Sequence, residues 1–489
     1  MISASLCSRS DQRKEHEKVK HKKEGTRADR VGQVQITFTN KQLTAWGGAC
    51  SVVAKFLEQI RFREWVLKHV PVEERSPNAK GIYEKVLALL LTSLTGGTRF
   101  SHVTWWSHGV EGLKACFAVG WLPQATSVLT RFFGKFRQRH NEELRSAAVG
   151  LVGQLIEAER IVEDTLILDS TVCERYGAQE GARKGYNPKK PGRPSHHPLK
   201  AGLGSGYVVN LWNRRGDTHT AHQCVTFFEQ TRVGLPRSVR IRWVLADSGF
   251  GEEGFLEHLE GKSQPYAVAL RLTAYVQQAI RAIREWKTLE AGLEVAEVTM
   301  ALSTWKKTRR MIVIRQHVPT RPKASGKQPL LFHELEEHRD YRYSVLVTND
   351  TALPPEEIWR TYRPRANEEN AIKELKEGYG WHEFNVCSFW GTEAAMLLIG
   401  MVCYNLVHHL NRCVLKTAKE GVARLKTLRL KVLAIPAVYG TGGRCPTLRL
   451  GVQDHSLRAK IRYWLQRILR LDLRLFNCNA VALPTTAEA

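Results

Sequence analysis

Two short apolar runs each stop at an Asp-Ser pair: residues 165–168 before Asp169-Ser170, and residues 239–246 before Asp247-Ser248. Short runs of β-branched, aliphatic and aromatic residues bounded by turn formers are strand signals. An acid at a strand's C-terminal end sits at the rim of a sheet, held by a buried scaffold. Each Asp taken alone equally fits an ordinary turn former after a strand. Further strands are expected at residues 206–212, then, after a turn at 213–217, at 218–225, and again at 266–270. Helical periodicity brackets them, upstream over residues 43–160 and downstream over 354–410, with apolar residues three and four apart at 83–94 and 122–136. Strands in succession between helical segments predict an α/β unit with a mixed sheet. Strand-like runs at 293–300, 310–318 and 341–348, the last two separated by the polar stretch 319–329, predict a β-rich insertion inside that unit.

A chain of 489 residues exceeds what one core usually serves, so two to four structural units are expected. Its 73 Lys and Arg against 48 Asp and Glu leave a net charge of +25, which favours a polyanionic partner, nucleic acid before an anionic membrane surface. The longest apolar stretch, residues 394–407, is shorter than the ~20 residues a bilayer span needs, and reads as a buried helix. The N-terminal residues are charged and lack the apolar segment of a secretion signal. Ten scattered cysteines with no C-x-x-C pair argue against a zinc ribbon and for reduced thiols in a cytoplasm. Neither a phosphate-binding G-x-x-x-x-G-K-[ST] loop nor a His clamp appears, since His196-His197 and His408-His409 are adjacent pairs whose side chains diverge.

The positive charge is uneven. Residues 411–475 hold fifteen Lys/Arg against three acids. Residues 183–200 hold Arg183, Lys184, Lys189, Lys190, Arg193 and Lys200 with no acid, in a run whose Pro and Gly content reads as a semi-rigid loop. Such a loop is either a solvated surface or a contact for phosphates. The segment 122–139, with Arg131, Lys135, Arg137 and Arg139, reads equally as a DNA-reading helix or an ordinary amphipathic one.

Downstream, helical patterning after Pro364 puts Arg365, Glu369 and Lys376 on one face, with Ala371, Ile372 and Leu375 on the packing side. A carboxylate between two cations can ligate a metal while its neighbours hold phosphates; the same spacing also fits i,i+4 surface ion pairs of about 0.3–0.5 kcal/mol each. The run Tyr362-x₂-Arg365-x₃-Glu369-x₆-Lys376 resembles, position for position, the Tyr-Arg-Glu-Lys signature of DDE transposases from bacterial insertion sequences. Asp169 and Asp247 stand upstream in the order of the two Asp of that triad, and residues 185–195 are similar to a stretch that follows the first Asp in one branch of these enzymes. The resemblance covers roughly residues 160–410.

It implies a ribonuclease H-like α/β core with a mixed sheet, interrupted by a β-rich insertion and flanked by helical N-terminal and C-terminal regions. It also implies that Asp169, Asp247 and Glu369 are the catalytic and metal-binding set, holding two Mg²⁺ ions for which Mn²⁺ substitutes. Tyr362, Arg365 and Lys376, with Lys189, Lys190 and Arg193 of the basic loop, are expected on the DNA backbone. In relatives that cut through a hairpin, a Trp of the insertion stacks on a flipped base; Trp286 and Trp305 are the candidates here, each fitting a packed core position as well. The expected division is a basic arm at 1–30, a helical DNA-binding region at 31–160, core at 161–272 and 351–415, insertion at 273–350, and a basic region at 416–489. The expected activity is cut-and-paste transposition at inverted terminal repeats and into target DNA, by a homodimer in a bacterial cytoplasm at the nucleoid. A DDE nuclease that never joins strands, and a decayed DNA-binding descendant, are the rival readings.

Overall fold

The structure is a computed structural model that describes residues 30–31, 33–74, 81–106, 110–318, 340–417, 421–443, 445–477 and 479–484. The expected arm at 1–30, apart from Arg30, and the polar stretch 319–329 lie outside the described residues. The chain divides into two compact units, Met1–Gln42 and Leu43–Ala489. In the first, Arg30–Val31 and Val34–Gln35 form a short antiparallel pair.

The second unit is built on a nine-stranded mixed sheet. Its strands in chain order are β1 (Glu163–Ser170), β2 (Leu199–Leu203), β3 (Val208–Trp212), β4 (Arg240–Ala246), β5 (Tyr266–Ala269), β6 (Lys287–Glu290), β7 (Leu293–Met300), β8 (Arg309–His317) and β9 (Tyr341–Thr348). Across the sheet they run β6-β7-β8-β9-β5-β4-β1-β2-β3. β1, β4 and β5 are parallel, and β2 and β3 are antiparallel additions beside β1. This is the ribonuclease H-like arrangement. The β-rich stretch is an insertion in sequence only: β9 pairs antiparallel with β5, so β6–β9 extend the same sheet.

Two sequence expectations change here. Residues 199–203, the end of the basic run, form the fully buried strand β2, and Lys200 is 1% exposed. Residues 218–225 are not a strand but turns leading into helix α4. The cause is Arg214: its buried guanidinium collects the carbonyls of His197, His219, Thr220 and His222, which requires the backbone to curl around it.

The helices used below are α1 (Ile82–Leu94), α2 (Thr126–Phe133), α3 (Gln138–Ala158), α4 (Cys224–Gly234), α5 (Glu253–Gly261), α6 (Pro355–Tyr362), α7 (Ala366–Lys373), α8 (Phe389–Leu415) and α9 (His455–Leu469). Period-two alternation divides the sheet's side chains between two cores. Leu166, Leu168, Val244, Ala246 and Val268 join the large core shared with α1, α2, α3 and α8. Ile167, Trp243, Leu245 and Ala267 face a smaller core with Ile312, Leu346 and Ile358 of α6. Helix α3 is riveted to the sheet by a buried pair between Arg145 and Glu393 of α8, with Arg145 Nε also donating to the Leu211 carbonyl. α8 has the length and composition to cross a membrane, yet 94% of its most apolar window is buried inside this protein.

Candidate active site

Strand alternation decides where the two candidate Asp residues point. Asp169 continues the Ile167 face of β1, and Asp247 continues the Trp243–Leu245 face of β4. Because Leu245 pairs with Ile167 and Ala246 with Leu168, the two carboxylates emerge side by side at one rim, on the face toward α6 and α7. Asp169 is 5% exposed and accepts from Ser170 N at 2.7 Å. Asp247 caps the short turn Ser248–Phe250, accepting from Gly249 N at 3.0 Å.

The helical signature descends onto this rim. Pro354 N-caps α6, whose first turn carries Glu356 and Glu357, both favourable at a helix N-terminus. A 3₁₀ turn at Arg363–Arg365 then carries the chain into α7 with the backbone helical throughout. Arg365 reaches Asp169 Oδ2 at 3.3 Å with one terminal nitrogen and Glu369 Oε1 at 3.4 Å with the other. Its Nε is buried without a hydrogen-bond partner. Asp169, Asp247, Arg365 and Glu369 are thus brought together, with the Glu369 side chain 70% exposed at the open side.

Tyr362 and Lys376 are engaged by the protein itself. The Tyr362 hydroxyl donates to the carbonyl of Ala246, the residue before Asp247, at 3.2 Å. The Lys376 ammonium donates to Thr171 Oγ1 at 2.6 Å and the Val172 carbonyl at 2.8 Å, just beyond Asp169. Where the sequence suggested contacts to DNA, these two side chains brace the strand ends that carry the carboxylates. Burial pushes the Tyr362 phenol up to about 12, so it stays a donor. In the basic loop, Lys190 donates to Glu174 at 2.9 Å and Arg193 lies over the Tyr176 ring at 4.8 Å, whereas Lys189 is exposed. That loop is anchored by the small sheet of Cys173–Glu174, Pro194–His196 and Arg183–Lys184, a few residues from Asp169.

The candidate stacking tryptophans are not presented as free rings. Trp305 is 7% exposed in the large core with the Arg309 guanidinium over it at 4.8 Å. Half-buried Trp286 has one face covered by Arg315 at 4.2 Å. Burial of Trp305 stabilises the extended sheet and removes the open face a base would need, whereas Trp286 has only one face so covered.

Sequence reasoning passed over Lys200 and Glu368. Lys200 lies directly opposite Asp169 in register, and its ammonium is in contact with the Glu368 carboxylate, the two side chains being 2% and 5% exposed. Gly202, two residues on and on the same face, makes the room: a Cβ there would stand 2.9 Å from both Glu368 Oε2 and Lys200 Nζ. Burial pushes the Lys200 ammonium down to about 7, and the field of Asp169 opposes that. The signal for Glu368 was present, since it precedes buried Leu375 by seven residues and so shares its inward face.

Three carboxylates from two strand ends and a helix form a hard-oxygen donor set, the kind that divalent cations such as Mg²⁺ select. Their mutual field is evident. Burial pushes Asp169 up to about 6, and Asp247 adds to this while Arg365 opposes it. Burial likewise raises Asp247, with Glu369 adding. The residues fit a divalent metal. A second cluster, Glu159, His409 and Cys413, lies within ligating distance, but Arg412 already neutralises Glu159 at 2.7 Å.

The raised Asp169 value fixes a sign. A carboxyl whose folded pKa exceeds its unfolded value contributes stability while protonated, and that contribution is lost as pH rises from 3.8 to about 6. Urea unfolding in a chelator should therefore show declining stability across this window, with a shallower decline in Asp169→Asn. Equal slopes in the two proteins would contradict the assignment of burial as the cause.

The family model for transposase DDE domain group 1 matches residues 123–473. The chain belongs to that family. It is a DNA transposase, a metal-dependent DNA-cleaving enzyme of the DDE class. The match begins before α2 and runs beyond α9, so this transposase's family extends over helices that the Tyr-Arg-Glu-Lys resemblance did not reach. No curated protein matches. Among solved structures, the piggyBac transposase synaptic complex with hairpin DNA is similar over 78% of each chain, at 11% identity and a TM-score of 0.37.

Proposed function

We propose that this transposase cuts the inverted terminal repeats of a bacterial insertion sequence and joins the freed ends to target DNA by a cut-and-paste route. Asp169, Asp247 and Glu369 are its catalytic set and hold two Mg²⁺ ions, with Mn²⁺ able to substitute. The observation that carries this reading is the convergence of two strand-ending carboxylates on one face with a helix glutamate, all three linked through the field of Arg365. When bound, such ions supply Lewis acidity to an in-line displacement at phosphorus.

The chain's own residues prepare that displacement. Tyr362 and Lys376 fix the ends of β4 and β1, so the carboxylates hold their spacing without reorganisation. The guanidinium of Arg365 spans Asp169 and Glu369 and holds the two carboxylates together at the rim. Lys189, Lys190 and Arg193 extend positive charge along the same rim. Two ends must be brought together, so the working unit is a homodimer on nucleoid DNA in the cytoplasm.

The test combines the protein, duplexes carrying the repeats that flank its gene, and a target plasmid. Mg²⁺ or Mn²⁺ should give cleaved ends and joined product, and a chelator should remove both. Cleaved ends without any joined product would support a nuclease on the same core instead.

A further inference from the structure

A cluster of positive charge lies away from the carboxylates. The C-terminal end of α8 and one face of α9 enclose an open cleft of about 750 Å³, lined among others by Arg412, Lys416, Tyr463, Arg467 and Arg470. Arg412 lies in the last turn of α8 and Lys416 just past its end, in extended backbone, while Tyr463, Arg467 and Arg470 are separated by four and three at α9's end. α9 contains Arg458, Lys460, Arg462 and Arg467 and no acid. Arg412 is spent on Glu159 at 2.7 Å. Among the described residues no carboxylate pairs with Lys416, Arg467 or Arg470. Arg467 donates to the Lys416 carbonyl at 3.2 Å and lies over the half-exposed Tyr463 ring at 5.6 Å, which sets its guanidinium at the cleft wall.

The cleft's place in the fold decides what it can hold. Arg412 also donates to the carbonyl of Ser205, in the turn between β2 and β3. Ser205 N in turn donates to Asp164, near the start of β1. Asp169 pairs with Lys200 at the other end of the same ladder. Five residues of strand separate the two ends, roughly 16 Å. The cleft therefore opens at the rim opposite the candidate catalytic centre, out of reach of the phosphate being cleaved.

We infer that this cleft is a second DNA site, which grips the phosphodiester backbone of duplex away from the scissile bond. Lys416, Arg467 and Arg470 take the phosphates, and the Tyr463 ring lies against the sugar edge. This rests on the family assignment and is independent of which carboxylates act in cleavage. The duplex comes either from the element's own end beyond the cut or from target DNA.

The test measures binding of the full chain to DNA as salt is varied. In Lys416→Gln/Arg467→Gln/Arg470→Gln, log K against log[salt] should be shallower by roughly 2 to 3 on long duplex, about 0.9 per lost phosphate contact, with affinity down roughly 10–100-fold at low salt. Lys416→Gln/Arg470→Gln, which removes no internal hydrogen bond described, should show a proportionate part of the change and guards against misfolding of the triple variant. Arg232→Gln/Arg240→Gln/Lys262→Gln, removing the same charge from acid-paired positions, should leave the slope unaltered. A deficit on long terminal-repeat duplex that vanishes on a short duplex around the cut assigns the cleft to the element's end. A deficit only in capture of a target plasmid by end-loaded protein assigns it to target. Unchanged slopes on both DNAs, or a loss confined to RNA or anionic vesicles, would overturn the inference, as would an equal effect from the acid-paired control.

Discussion

Asp169→Asn should reduce Mg²⁺-dependent strand cleavage by roughly 10³-fold or more, since a lost ligand forfeits several kcal/mol of charge stabilisation at the reacting phosphate. DNA binding should hold or tighten slightly, because the substitution removes negative charge near a polyanion. Asp247→Asn and Glu369→Gln should behave alike in cleavage and differently in stability. Asp169 is buried and repelled by Asp247, so its neutral replacement relieves a cost in the metal-free protein. Glu369 is largely exposed, so its replacement changes stability little. Paired cleavage and unfolding measurements on the three variants thus separate a lost ligand from a damaged fold. Wild-type nicking by any one of them would remove that residue from the set.

Glu368→Ala is the change with the largest expected effect on the fold. It leaves the Lys200 ammonium buried and without its carboxylate, and breaking a buried pair from one side costs about 3–5 kcal/mol. The penalty has a pH signature. An amine whose folded value is depressed, here to about 7, carries the full cost below that value and is relieved as pH rises above it. The variant should accordingly be least stable at pH 6 and regain stability toward alkaline pH. Lys200→Met/Glu368→Met, which removes both charges at similar volume, should recover most of the loss. Chemical denaturation at two pH values checks this. A single Glu368→Ala variant as stable as the parent at pH 6 would show that the pair is not buried as described.

The adjacent glutamates show how sequence and structure divide the information. Spacing to Tyr362, Arg365 and Lys376 singled out Glu369, and the structure places it at the rim beside Arg365. The spacing to Leu375 turns Glu368 inward, but nothing in the sequence revealed the strand it meets there, because that strand itself was hidden. β2 follows a run rich in Pro, Gly and cations, and only its antiparallel ladder with β1 turns residues 199–203 into a buried strand. The segment 218–225 departs for a more local reason: the buried guanidinium of Arg214, just upstream, supplies hydrogen bonds that strand alternation does not encode. Trp286 and Trp305 looked available because composition says nothing about which cation or core will cover a ring.

By itself, the sequence determined the local and periodic features: two apolar strands each ending in Asp, a helix carrying Arg365 and Glu369 on one face, and an excess of positive charge. Strand alternation has a period of two and helices one of 3.6, so which side chains share a face is settled by short-range geometry. The tertiary structure decided what depends on contacts between segments far apart in the chain. It extended one sheet through the inserted strands, set Lys200 against Glu368 beneath the rim, and divided the charge between two opposite edges. The basic loop follows the carboxylates because it pairs beside the end of β1, whereas the C-terminal cations meet α8 at the far end of that strand. Packing of whole helices and strands fixes those distances, and a linear pattern carries no record of them.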